Sequence, residues 1–156
     1  MDIVAELTTI EFTNLLDILR VGTAVERAAQ QVAVHAVGVL QRRGTFARWG
    51  QRPVTALADL LGIEHLEARR VVTAAEHALP RTDRQSQVLP ARLPATAAAF
   101  TTGTANIRHV EVIARLLGGP AAARLQPDTR GSLEQQLAGQ VETLTPTALR
   151  DWGGNC

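Results

Sequence analysis

The chain has no lysine and no tyrosine, a single cysteine, and only 3% aromatic residues. Each scarcity removes a class of answers. One cysteine, Cys156 at the very end, excludes an intrachain disulfide and a cysteine-based zinc site. Its thiol has no neighbouring base to activate it, so it reads as inert. No apolar run approaches the ~20 residues that span a bilayer, because Arg, Glu and Gln interrupt every one. The N-terminus has no basic segment leading into an apolar stretch, so no secretion signal is visible and a reducing cytoplasm is the expected setting. With aromatics scarce, the core must be made of Ala, Leu and Val. Alanine is the best helix former and lets helix axes approach closely, whereas strands favour the missing aromatics.

What is present fits a folded domain. The hydrophobic fraction is 46% and the charged fraction 20%, which is globular rather than disordered. The length, 156 residues, suits one domain of the common ~100–150-residue size. The net charge of +1 is too small to argue for nucleic acid. The arginines are unevenly spread, however. From Arg42 to Arg108 ten arginines face five acids, Asp59, Glu64, Glu67, Glu76 and Asp83. Such an excess suits phosphate binding. The plainer account is that these side chains solubilise exposed helix faces.

Helical spacing runs through the chain. Thr8-x-x-Glu11 reads as a capping box opening a helix to about Arg20, interrupted by Gly22. Thr23-x-x-Glu26 reads as a second box, opening a long helix to about Arg43. Its expected apolar stripe is Val25, Ala29, Val32, Ala36 and Leu40. Residues Thr45–Arg52 read as a short basic loop holding Phe46 and Trp49. Pro53 suits a first helical turn, Val54–Leu61 is a short helix ended by Gly62, and Glu64–Leu79 follows. Leu66, Arg70 or Val71, Ala74 and Ala78 fall at helical steps along it. Arg81–Pro94 is a polar connector with at most a short helix around Ser86–Leu89. Ala95–Thr102 is helical up to Gly103, and Asn106 is a good N-cap for Ile107–Leu117. Pro120 can start a short helix. Asp128–Leu144 carries Leu133, Leu137 and Val141 in line, and Thr145-Pro146 is the strongest start signal of all. No strand-period segment is evident. The expected fold is all-α: a single irregular or orthogonal bundle of about seven helices over residues 1–150, with 151–156 a divergent or truncated tail.

Val54–Leu79 has the outline of a helix-turn-helix, with Gly62 permitting the turn. The residues that would face base edges are Glu64, His65 and Glu67, and carboxylates are repelled by phosphate. Arg69 and Arg70 stand where they could reach a phosphate backbone. The competing account is a helical hairpin packed into a bundle. Arg42, Arg43, Arg48 and Arg52 surround Trp49, and arginine–aromatic clusters can grip nucleic acid by charge and stacking. Against that, such a Trp commonly seals a core edge. His35, His65, His77 and His109 show no paired ligand spacing, so no metal site is expected. Ser86 and Ser132 lack a nucleophile context, and no phosphate loop is present. No catalytic residue, cofactor or small-molecule ligand is expected.

One stretch resembles a known family. Its carriers are Gln41-Arg42-Arg43-Gly44 ahead of Trp49, Ala58-x-x-Leu61-Gly62-Ile63 with Glu67-Ala68-Arg69-Arg70, then Leu93-Pro94-Ala95-Thr96-Ala97-Ala98-Ala99 with Gly103, and His109 with Val112-Ile113-Ala114. In order and spacing they resemble the actinobacterial family called domain of unknown function 222, which includes the mycobacterial thirteen-E-twelve repeat proteins. Longer members of that family commonly continue into an HNH endonuclease domain. The resemblance implies a helical module from a mobile or repetitive genetic element, without the nuclease region, and it supplies no catalytic residue. After Thr145-Pro146-Thr147-Ala148-Leu149-Arg150 the chain runs into Asp151-Trp152-Gly153-Gly154-Asn155-Cys156, which reads as a truncated or frame-shifted copy. The expectation is therefore a non-catalytic, DNA-associated module with Arg42, Arg43, Arg48, Arg52, Arg69 and Arg70 as phosphate contacts. The alternatives are a protein-interaction or homodimerisation module, with the 128–144 helix as its face, or a nonfunctional remnant.

Overall fold

The computed structural model describes residues 2–155; Cys156, expected to be inert, lies outside the described residues. Helix α1 spans Ile3–Leu7, and the Asp2 carboxylate accepts from the amides of Val4 and Ala5 at 3.1 and 3.3 Å. Helix α2 then runs unbroken from Phe12 to Arg42, 31 residues. The two expected capping boxes are not used. The Thr8 hydroxyl donates back to the Ala5 carbonyl, closing α1, and the Thr23 hydroxyl donates to Leu19 inside α2. Gly22 does not interrupt the helix, because a mid-helix glycine costs about 1 kcal/mol but removes no hydrogen bond.

The buried face of α2 also differs from the expected stripe. Val34, Val37 and Gly38 are buried, whereas Val25 and Val32 are 62% and 71% exposed. Both sets recur at helical spacing, and only the neighbouring helices decide between them. Upstream, the inward line is continued by polar side chains. Arg27 donates to the Gly103 carbonyl, Gln31 donates to those of Phe100 and Thr101, and Gln30 accepts from the Ile107 amide.

A one-turn helix, α3 (Thr45–Arg48), occupies the start of the expected basic loop. Helix α4 (Pro53–Leu61) and α5 (His65–Ala78) meet at Gly62, whose φ of 63° is the left-handed conformation that glycine adopts without a Cβ clash. Glu64 is the N-cap of α5, completing a capping box with Glu67. Leu66, expected inside, is 47% exposed. The inward positions of α5 are Ala68, Val72, Ala74, Ala75 and Ala78.

The connector is a small antiparallel hairpin, not a helix. Strand β1 (Arg81–Thr82) pairs with β2 (Val88–Leu89), Arg81 opposite Leu89. Asp83 builds its turn by accepting from the amides of Gln85 and Gln87. Helix α6 (Pro94–Thr101) and α7 (Ile107–Gly118) flank Gly103, with φ 78°. Asn106 caps α7 as expected, accepting from Arg108 and His109. Then come α8 (Pro120–Ala123), α9 (Pro127–Gly139) and α10 (Pro146–Gly153). Helix α9 stops five residues short of Leu144, the expected end, and Thr145 caps α10 through its hydroxyl. Ten helices are present among the described residues rather than about seven, because α1, α3 and α8 are short pieces of one turn or little more.

Two apolar clusters form the interior. One gathers Val34, Val37, Phe46, Leu57, Val72, Phe100 and Val110 around the alanine face of α5. The other joins Leu93, Ile113, Leu117, Leu137, Val141 and Leu149, with Trp152 packed against it. Helix α7 serves both, giving Val110 to the first and Ile113 and Leu117 to the second. Asp151, Trp152 and Gly153, which the resemblance set apart as a divergent tail, continue α10.

Candidate functional site

Four of the six arginines singled out by sequence lie at one corner. Arg42 ends α2, Arg43 is its C-cap, Arg48 ends α3, and Arg52 is the N-cap of α4. All four are exposed, and among the described residues none joins an ion pair. Trp49 stands beside them, half exposed, its ring meeting that of Phe46 edge-on at 6.0 Å. Phe46 is the core residue of this loop; Trp49 flanks it.

The other two arginines are elsewhere. Arg69 is exposed on α5. Arg70 is committed: its Nε donates to Glu111 at 3.0 Å, with the two side chains 23% and 13% exposed. Glu111 also accepts from Arg115 at 3.0 Å. Arg70 thus joins α5 to α7, and its positive charge is largely spent. The open N-terminal turn of α5 is acidic, with Glu64 and Glu67 held by the capping box. The rest of α5 packs on α2, α4, α6 and α7.

The fold assembles a second basic cluster that sequence reasoning missed. His77 near the end of α5, Arg81 on β1, Arg92 before α6 and Arg130 on α9 line one cleft of about 320 Å³ with Leu93. An adjoining depression shares Arg81 and Arg92 and adds Arg42 and Glu76. These arginines are scattered over the chain, so no local pattern announces them. Another cleft, about 630 Å³, lies between α2 and the Gly103 turn, where Leu16, Leu19 and Ala24 share its lining with Arg20, Arg27 and Gln31.

Two interior polar groups shape the frame. Glu134 of α9 is buried and receives the amides of Ala95 and Thr96 at 3.2 and 2.7 Å and the Thr96 hydroxyl at 2.7 Å. A carboxylate from another helix therefore satisfies the free donors opening α6. His109 is buried as well; its Nδ1 accepts from the Asn106 amide, which assigns the hydrogen to Nε2, the donor to the Leu144 carbonyl. Burial lowers its pKa below the usual histidine value, opposed by the bond to Leu144 and reinforced by Arg27 and Arg108. Among the described residues no group of three or more His, Cys, Asp or Glu stands close enough to hold a metal ion. No helix of the described residues is long and apolar enough to cross a membrane.

The architecture is that of an all-α module with two small cores and an unpaired basic rim. The chain belongs to the family described as Domain of unknown function (DUF222), whose model matches residues 19–156. It is similar to an uncharacterized protein of Mycobacterium bovis and to two uncharacterized proteins of Mycobacterium tuberculosis. Each is 33% identical over 136 residues, covering 82% of this chain and 30% of the relative. The chain thus spans about 30% of the length of those curated relatives. No solved structure matches it.

Proposed function

We propose that this chain is a non-catalytic helical module that holds nucleic acid by its phosphates. The carrying observation is the corner of Arg42, Arg43, Arg48 and Arg52, where four exposed guanidinium groups have no carboxylate partner among the described residues. Guanidinium forks match phosphate oxygens bidentately. The α4–Gly62–α5 unit supports a helix-turn-helix reading in order only. Helix α5 packs against four other helices, and its open turn presents Glu64 and Glu67. This favours backbone contact over base readout. In a longer protein of the kind the resemblance implies, such a module would position the duplex for an HNH nuclease carried elsewhere.

The test is a fluorescence anisotropy titration of a ~20-bp duplex across a salt series. Each phosphate neutralised contributes about −0.9 to the slope of log K against log salt, so four contacts give a slope of about −3 to −4. The variant R42Q/R43Q/R48Q/R52Q is expected to lose most of that slope. Binding indifferent to salt, or unchanged in the variant, refutes the reading.

A second reading, homodimerisation, has its own support in the apolar residues left open at the start of the chain. Phe12, Leu19, Val21 and Val25 on α2, with Ile3 and Val4 on α1, are exposed. The helix first expected to provide this face, α9, already spends Leu137 on its own core, as the following turn spends Val141. Light scattering across a dilution series decides it, a concentration-independent monomer removing the idea.

A further inference from the structure

We propose that the cleft between His77, Arg81, Arg92 and Arg130 is a binding site for a phosphate group. This does not depend on the helix-turn-helix or on the corner of Arg42, Arg43, Arg48 and Arg52. Four separate elements deliver these side chains: the last turn of α5, strand β1, the segment before α6, and α9. Among the described residues no acid lines the cleft. Glu76 borders the adjoining depression, and Glu134 lies in a neighbouring groove with Arg92 and Arg130. The Glu134 carboxylate is already engaged by Ala95 and Thr96.

The arginines are held but not neutralised. Arg81 donates from Nε to the Pro90 carbonyl at 3.1 Å, and Arg130 donates one N–H to the Leu117 carbonyl at 3.0 Å. Those bonds fix the side chains and leave the other guanidinium donors uncommitted. Among the described residues, none of Arg42, Arg81, Arg92 and Arg130 joins an ion pair. Nδ1 of His77 is buried and has no hydrogen-bond partner. Like charges gathered around a shared space repel, and a bound anion offsets that repulsion by attracting each of them. The imidazole registers this field: its pKa is lowered by burial first and then by Arg92 and Arg130, against an opposing pull from Glu76. At about 320 Å³ the cleft has room for a phosphate group with several waters, each of which takes roughly 30 Å³.

The phosphate could belong to a nucleic-acid backbone or to a free phosphorylated compound, and the experiment separates them. Pyrophosphate is titrated at low ionic strength into the whole chain, followed by calorimetry and by NMR of the His77 ring. The expected result is saturable binding with a shift of the His77 resonances and a rise in its pKa. R92Q should weaken binding at least about tenfold. Arg92 is exposed and makes no hydrogen bond among the described residues, so this variant should fold; a far-UV spectrum checks that. R20Q, outside the cleft, should leave the affinity unchanged. A duplex is then added. Displacement of pyrophosphate assigns the site to nucleic-acid phosphate, and lack of displacement assigns it to a free phosphate compound. Absence of saturable binding, an unmoved His77, or R92Q binding as tightly as the parent overturns the proposal.

Discussion

Glu134 shows how much a single side chain carries here. Thr96 is fully buried, and the Glu134 carboxylate is the acceptor for its amide and its hydroxyl, and for the amide of Ala95. Removing the acceptor leaves buried donors without a partner, which costs about 1–3 kcal/mol per site. We therefore expect E134A to lose about 3 kcal/mol, a fall in melting temperature of about 6–12 °C for a chain of this size. E134Q keeps one amide oxygen and should recover part of the loss. Thermal denaturation followed by circular dichroism reads both, and an E134A protein as stable as its parent would show that water replaces the carboxylate.

At the level of the helix, α2 divides into an open half and a packed half. No residue of α2 before Val34 is buried. The stretch ahead of Arg27, beyond the side chains that hold the Gly103 bend, can therefore fray without disturbing either core. A Cβ at Gly22 would meet nothing within 4 Å. G22A is expected to strengthen the helix locally by about 0.5–1 kcal/mol, or about two- to fivefold in amide protection around Gly22, with the melting temperature almost unmoved. Hydrogen exchange measures this; protection that does not change would mean the glycine is not the weak point.

Helix boundaries were legible wherever a cap is local chemistry. Asn106, Thr145-Pro146, Pro53 and Gly62 act on backbone groups one to three residues away, so their meaning survives any tertiary context. The inward face of α2 was not legible, because Val25 and Val32 have the same spacing logic as Val34 and Val37. The hairpin escaped because two-residue strands have no period to read. Arg42, Arg43, Arg48 and Arg52 lie close along the chain and could be grouped from sequence. Arg81, Arg92 and Arg130 become neighbours only when α9 returns to α6. Arg70 looked like a surface charge because its partner, Glu111, lies on another helix.

For the whole molecule, the two clusters share α7, so their stabilities are coupled, and His109 stands at that seam as a neutral imidazole. His109 and His77 both have lowered pKa values in the fold. The unfolded chain then binds protons that the fold resists. The stabilising contribution is complete above the unfolded histidine value of about 6.5, declines as pH falls through it, and is gone once the pH passes below the lowered folded values. In a phosphate-free buffer the urea midpoint should be higher at pH 7.5 than at 5.5, and H109Q, though less stable overall, should show a smaller difference. A midpoint that rises on acidification would contradict the sign.

Arg27, Gln30 and Gln31 grip the backbone at Phe100, Thr101, Gly103 and Ile107, the bend that separates α6 from α7. Beyond that grip α2 extends back to Phe12, roughly 20 Å of helix at about 1.5 Å per residue. Mechanically it is a beam clamped near its middle. Tension or torque on its free end is delivered through three side chains to the bend between α6 and α7, so whatever seizes that end also loads that bend.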